Sequence, residues 1–273
     1  MEERNDVQNY EYLKKQVFYT GIGDNDPFYA RLKDTLATNP GSFALEVPKD
    51  IKKTRLQVTL FFEKSDTSTK RFLNRFAVEY TDADGQKKKI SLGVDPKGAN
   101  FTIGEAFRMM NGRHVYKEGL RSVKKVDDVW TENKYNAWTS IKKFDIKEDG
   151  SFAIERLPQR FFDLDKIAES KKYESIPELQ DKDVRAKAVK EMKAGNEFVA
   201  HHDDKETGNR ISVVLVASPS DKEISVFDMQ GNKVDMSFKK EQAEKEKQTE
   251  KKSALVTSEA AETKQGNRKT VRK

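Results

Sequence analysis

Cysteine is absent from these 273 residues. Its absence excludes disulfides, thiolate nucleophiles and cysteine-based zinc sites together, and it fits a reducing cytoplasm. Histidine is scarce, with three residues, so imidazole chemistry has little material. Long apolar runs are missing as well. The N-terminus MEERNDVQNYEYLKKQ has no apolar stretch of the signal-peptide kind, and no later run approaches the ~18 residues that a membrane span needs. These absences lead to the expectation of a soluble cytoplasmic protein with no membrane partner. There is no G-x-S-x-G elbow and no histidine spaced to serve one. In TGIG, the only loop with phosphate-binding character, no strand precedes the glycines and no third glycine opens a helix. Asp24 and Asp26 place negative charge where a phosphate would sit, so the segment reads as a turn. The carboxylate pairs Asp127-Asp128, Asp163/Asp165 and Asp203-Asp204 lie in charged segments, where helix caps and solvated turns account for them. The expectation is therefore no cofactor, no metal and no enzymatic activity.

What is present is charge. Charged residues are 36% and hydrophobic residues 35% of the chain, so the core is small for the length and part of the chain is expected to stay unpacked. The net charge of +6 is unevenly placed: residues 238–273 hold eleven Lys/Arg against six Glu, or +5, which leaves +1 for residues 1–237. The last ten residues, KQGNRKTVRK, carry all of the tail's excess. A basic tip on a near-neutral body suggests an electrostatic tether that supplements binding made elsewhere.

Periodicity then sets out the elements. Residues 1–18 read as a charged arm that can be helical. Asp26 can cap a helix with Pro27 at its first position; Phe28, Leu32 and Leu36 fall on one face, and Asn39-Pro40-Gly41 ends it. SFALEV, RLQVTLFF, RFAVEY and KKISLG read as an antiparallel meander, with Leu56, Val58, Leu60 and Phe62 on one face and a turn at Asp84-Gly85. Thr102 and Glu105 have capping-box spacing for a helix over 102–110 whose buried face is Ile103, Ala106, Phe107 and Met110. YNAWTSIKKFDI and GSFAIERL read as strands around Asp149-Gly150. FFDLDKIAESKK and DKDVRAKAVKEMKAGN read as helices, with Val184, Ala188 and Met192 on one side of the second.

The stretch AHHDDKETGNR (Ala200–Arg210) holds two of the histidines and two aspartates. Phe43–Asp66 and Phe198–Asp221 align without a gap at an offset of 155. In that alignment Phe43 meets Phe198, Arg55 meets Arg210, Val58 meets Val213 and Leu60 meets Leu215. Both stretches follow a helix and lead to a further strand, which reads as a degenerate internal duplication. His201 and His202 then end a strand that enters a hairpin. Neighbouring strand residues point to opposite faces, so the pair cannot easily hold one ion. His201 with Asp203 gives two ligands where a site needs three or four, and the hairpin reading is preferred.

The segment with most chemistry is NGRHVYKEGLRSVKK. Arg113, His114, Lys117, Arg121, Lys124 and Lys125 are interleaved with Tyr116, a pattern in which cations hold phosphates while a ring stacks on an unpaired base. The plain alternative is an exposed loop whose charges keep it soluble; Glu118, Asp127 and Asp128 dilute its basic field. Arg268, Lys269, Arg272 and Lys273 at the C-terminus form the candidate tether.

Taken in order, FYTGIG, LKDTLATNPGSFAL, LQVTLFFEKSD, FTIGEAFRMMNGRHV, KYNAWTSIKKFD, FFDLDKI, SIPELQD and AVKEMKAGNEFVAHH resemble a family of known outline. It is a domain of unknown function found in proteins of conjugative and mobilisable elements of Bacteroidetes-type bacteria. The resemblance covers most of residues 18–230 and departs from the family pattern in charged insertions such as TDADGQKKK and RSVKKVDDVWTEN. It implies a mobile-element accessory protein without assigned catalysis, and supplies no functional residues.

The expected fold is α+β. It comprises a charged N-terminal arm (1–18), a first helix-plus-antiparallel-sheet unit (19–160) carrying the 102–110 helix and the Trp138 strand, a second, repeat-like unit (161–237), and a disordered basic tail (238–273). The expected function is non-catalytic binding that assists DNA handling, with DNA or RNA held through phosphate contacts or with a DNA-processing protein of the same element as partner. A protein–protein adaptor touching no nucleic acid is the alternative. An uncharacterised enzyme, needing a pocket that joins distant carboxylates to His114 or His201, is third.

Overall fold

The computed structural model describes residues 2–38, 41–203 and 208–236, which form helices and three antiparallel sheets, an α+β architecture. The basic tail lies outside the described residues. The N-terminal segment is a docked helix, α1 (Glu2–Val17). Asn9, Leu13 and Val17 recur at a spacing of four and are buried, which gives the helix an inward face despite its charge. After a π-helical turn over Phe18–Ile22, Gly21 and Gly23 take φ of 96° and 70°. TGIG is thus the corner between α1 and α2 (Asp26–Ala37). Asn25, one residue earlier than the sequence suggests, is the cap; its side chain accepts from Phe28 N at 3.1 Å. Asp26 and Pro27 already lie in the first turn, where an acid and a proline are favoured. Of the expected stop, Asn39 and Pro40 lie outside the described residues.

The first sheet runs β1 (Phe43–Ile51), β2 (Thr54–Lys64), β3 (Arg71–Thr81) and β4 (Lys87–Gly93), paired in chain order. Leu56, Val58, Leu60 and Phe62 are all buried, as their period of two requires. Pro48 is tolerated because β1 is an edge strand. Asn9 ties α1 to this sheet: its amide donates to Arg71 O and accepts from Arg71 N, both at 2.9 Å. Helix α3 (Ile103–Met110) starts with the expected capping box. It buries Met109, with Ile103, Ala106 and Met110, while Phe107 is only partly covered.

The middle sheet, β5 (Val115–Val126), β6 (Val129–Ile146) and β7 (Phe152–Pro158), has β6 at its centre. Its two faces serve two cores. Val115, Leu120, Ala137 and Ile141 join the core formed by α1–α3 and the first sheet. Tyr116 and Trp138 join the second core. The second core is closed by α4 (Leu164–Ala168), α5 (Pro177–Gln180) and α6 (Lys182–Lys193), packed on a sheet in the order β10 (Glu223–Asp228), β9 (Arg210–Ser218), β8 (Phe198–Asp203). Ala188, Val189 and Met192 are the buried face of α6; Val184 is half-buried. Trp138 Nε1 donates to Phe162 O at 3.0 Å, and the Tyr173 hydroxyl both donates to Ile224 O and accepts from Ile224 N.

The hairpins bear directly on the suggested duplication. Phe43 pairs with Phe62, and Phe198 pairs with Leu215. Setting Phe43 on Phe198 therefore sets Phe62 on Leu215, an offset of 215 less 62, or 153, against 155 on the other strand. The gapless correspondence holds on one strand at a time. A slip of two keeps every side chain on its face, so both registers give the same apolar pattern in sequence.

Candidate functional site

The ladder of β5 divides the basic cluster between two faces. Before the bulge at Lys117/Leu120, Val115 and Lys117 face the first core and Tyr116 the second. Gly119 allows the bulge: its φ is 69°, its N–H donates to Asn136 Oδ1, and its carbonyl accepts from Ala99 N. The extra residue reverses the alternation, which leaves Arg121, Val123 and Lys125 on one side and Ser122 and Lys124 on the other. Six residues adjacent in sequence are thus not one patch in space.

Most of their charges are already engaged. Arg113 pairs with Glu197. Lys117 Nζ lies 2.8 Å from Glu105, the capping-box carboxylate, and 5.5 Å over the Phe101 ring. Arg121 binds Asp95 at 2.7 Å and Glu132 at 2.8 Å; the guanidinium holds the Asp95 carboxyl below the usual carboxylate range against the cost of its desolvation. Lys125 meets Asp128 at 2.7 Å. Lys124 and Lys134, both exposed, have no ion-pair partner among the described residues.

Tyr116 does not offer its ring to a base. It is 7% exposed, tilted against Trp138 with centroids 5.3 Å apart, and covered by Lys193 Nζ at 5.1 Å. Strand alternation turns it into the second core. Burial, then the nearby Glu118 carboxylate, raises its phenol above the ordinary value. His114 is turned inward too: its Nε2 lies 3.2 Å from Ser220 Oγ in the β9–β10 turn. Burial lowers its pKa, against the opposing fields of Glu155 and Asp221, so it is neutral at pH 7. The cations Arg268, Lys269, Arg272 and Lys273 lie outside the described residues.

The exposed aromatic of this region is one that the sequence pattern did not single out. Strand β7 pairs only with Ala137–Ile146 of β6, so β5 and β6 continue beyond it as a two-stranded ribbon from the Arg121–Lys134 pair to Val126–Val129. Its five steps at ~3.4 Å each give a length of roughly 17 Å. Asp127 and Asp128, at φ 47° and 62°, close it with the two positive φ values of a type I′ turn. Trp130, 69% exposed, stands directly across from Lys125. It shares a face with Val123, Glu132 and Lys134, while Lys124, Thr131 and Asn133 line the reverse. A readable signal existed: in Val-Asp-Asp-Val-Trp, two turn-forming aspartates stand between apolar β-branched residues, as in a two-residue hairpin.

His201 and His202 lie near the end of β8, which pairs antiparallel with β9, and residues 204–207 lie outside the described residues. His201 Nδ1 is 2.6 Å from Glu178 Oε1, and its backbone N–H donates to Glu178 Oε2 at 3.0 Å. These bonds hold the Glu178 carboxyl low despite its desolvation. His202 points to the other face. No group of three or more His, Asp or Glu placed to hold a metal ion occurs among the described residues, and no helix there is long and apolar enough to cross a membrane. Compared with family models, curated proteins and solved structures, the chain matches none, and its site is read from its own geometry.

Proposed function

We propose that the protein is a non-catalytic binding protein whose working element is the β5–β6 ribbon, and that it assists DNA handling as an accessory protein of a mobile element. The observation that carries this reading is the ribbon itself: residues 123–125 and 127–134 are all exposed, and they include a tryptophan. Exposed tryptophans are concentrated at contact surfaces, because a large ring left in water gains most from a partner. Arg121 braces the ribbon's base through Asp95 and Glu132, so the tip is presented without dedicated packing. The cations near the C-terminus, Arg268, Lys269, Arg272 and Lys273, are the proposed electrostatic tether.

Affinity purification from the native host, with and without nuclease, tests the reading. One arm uses the full chain; another replaces residues 122–133 with Asn-Gly, which recloses the Arg121–Lys134 pair as a two-residue hairpin. The captured material is expected to be lost from the shortened chain while its melting temperature stays close to the parent's. Equal capture by both chains overturns the reading. Deleting residues 264–273 is expected to weaken binding and flatten its salt dependence.

One observation favours the protein–protein adaptor as a second reading. On the outer face of the last sheet Val199, Val214 and Phe227 stand in register across three strands, and Val199 is 58% exposed. A partner that survives nuclease and high salt and is released by Val199→Lys supports it.

A further inference from the structure

The two faces of the ribbon differ from an ordinary apolar docking patch, and the difference points to a partner. The apolar side chains are split: Val123 and Trp130 are on one face, and Val129, 62% exposed, is on the other. Trp130 is therefore bordered by long polar side chains, with Lys125 opposite it and Glu132 two residues along its own strand, and Lys134 lies further along the same face. Protein hot spots are enclosed by groups that exclude water; this ring has a single valine, Val123, diagonally across from it and is otherwise bordered by charged side chains. The ion pairs sort the charges further. Asp128 is engaged by Lys125 and Glu132 by Arg121. Lys124 and Lys134 remain as ammonium groups with no ion-pair partner among the described residues, against the single carboxylate of Asp127. A flat π-face with uncommitted cations on either side of its strand pair matches an unpaired base next to its phosphates. A duplex buries its base faces and gives the ring nothing to stack on.

We propose that the β5–β6 ribbon binds single-stranded nucleic acid, with Trp130 stacked on a base, Lys134 on a phosphate along the same face and Lys124 on a phosphate where the strand passes round to the reverse face. This rests on the reading of the ribbon as the contact element and names the chemistry of its partner. The ribbon supplies one stacking position and two free cations, so the binding is short-range and of modest strength. Thr131 does not compete for the ligand: its hydroxyl donates to Lys124 O at 3.1 Å, which stiffens the rung beside the ring.

The chain's two tryptophans make the test direct. Trp138 is 1% exposed and Trp130 is 69% exposed, so quenching of the solvent-exposed emission reports Trp130. The full chain is titrated at low salt with oligodeoxythymidylate, oligouridylate and a blunt duplex, and the same ligands, fluorescently labelled, are followed by polarisation. The expected result is quenching by at least one single strand, which also identifies the preferred sugar, and weaker or no quenching by the duplex. Trp130→Ala is expected to weaken single-strand binding by about 5- to 100-fold, as loss of one stacked base does. Trp130→Phe should retain much of it. Lys124→Gln with Lys134→Gln should reduce the salt slope by about 1.4, at ~0.7 per single-strand phosphate. All these side chains are exposed, so melting temperatures should be unchanged. Binding without quenching that is unaffected by Trp130→Ala, as the terminal cations alone would give, overturns the proposal, and so does equal quenching by the duplex. Capture of a protein that depends on the ribbon, with no oligonucleotide response, overturns it while leaving the ribbon as contact element intact.

Discussion

His114 shows how placement changes what a residue can do. In sequence it belongs to a basic cluster; in the fold it sits against Ser220 in the seam between the two cores. Burial lowers its pKa below the ordinary imidazole value of ~6.5. Between the lowered folded value and the unfolded one, the unfolded chain binds more protons, so stability is full above ~6.5 and is lost as pH falls toward the folded pKa. Asp95, Glu178 and Glu223 have lowered folded pKa values and act in a separate window, below about 4. The urea midpoint of the native chain is therefore expected to drop between pH 7 and 5, and His114→Gln is expected to remove His114's share of that drop. An unchanged pH profile in the variant would contradict the half-buried imidazole with its lowered pKa. Tyr116 teaches the same lesson, since its place in a basic, aromatic run was legible but the face it takes was not. A one-residue bulge two positions on decides which side each later cation occupies, and only Gly119 hinted at it.

At the scale of elements, the readable parts were those whose stability comes from burying one face. The alternation of β2, the capping box of α3 and the glycine turns at Gly85 and Gly150, at φ 76° and 75°, are all visible because apolar period and turn chemistry agree. The ribbon was not, and reads instead as a charged insertion. Neither of its faces is buried, so it has no period-two apolar pattern; cross-strand pairing and the Asp127-Asp128 turn hold it. The helix α1 was half legible, because its inward face includes Asn9, which serves the backbone of Arg71 and not the apolar core. The loop after α6 offers a sharper check. Gly195 has φ +80°, and a Cβ there would lie 3.0 Å from Val115 Cγ2 and 3.1 Å from His114 O. Gly195→Ala combines a left-handed backbone with a clash against backbone at the seam, and is expected to cost roughly 1–3 kcal/mol. Chemical denaturation checks it; a loss below about 0.5 kcal/mol, the range of neutral surface changes, would contradict the packing.

Across the whole molecule, one sheet carries a core on each face: the middle sheet, counted wholly within the first expected unit (19–160), also lines the second core. Ala137 and Trp138 are chain neighbours, yet they belong to different cores. The seam is fastened by Arg108 Nε on Ala194 O at 2.7 Å, by Arg113 on Glu197 and by His114 on Ser220. Those contacts take up Arg113 and His114, two of the side chains that the sequence offered for phosphate. Binding then falls to the element that extends from the shared sheet into solvent. Hydrogen exchange on the full chain, with and without saturating oligodeoxythymidylate or oligouridylate, tests this most directly. The expected result is slowed exchange at amides within residues 121–134 and little change in the two cores. Slowing confined to other segments, with the ribbon unaffected by either ligand, would contradict the account.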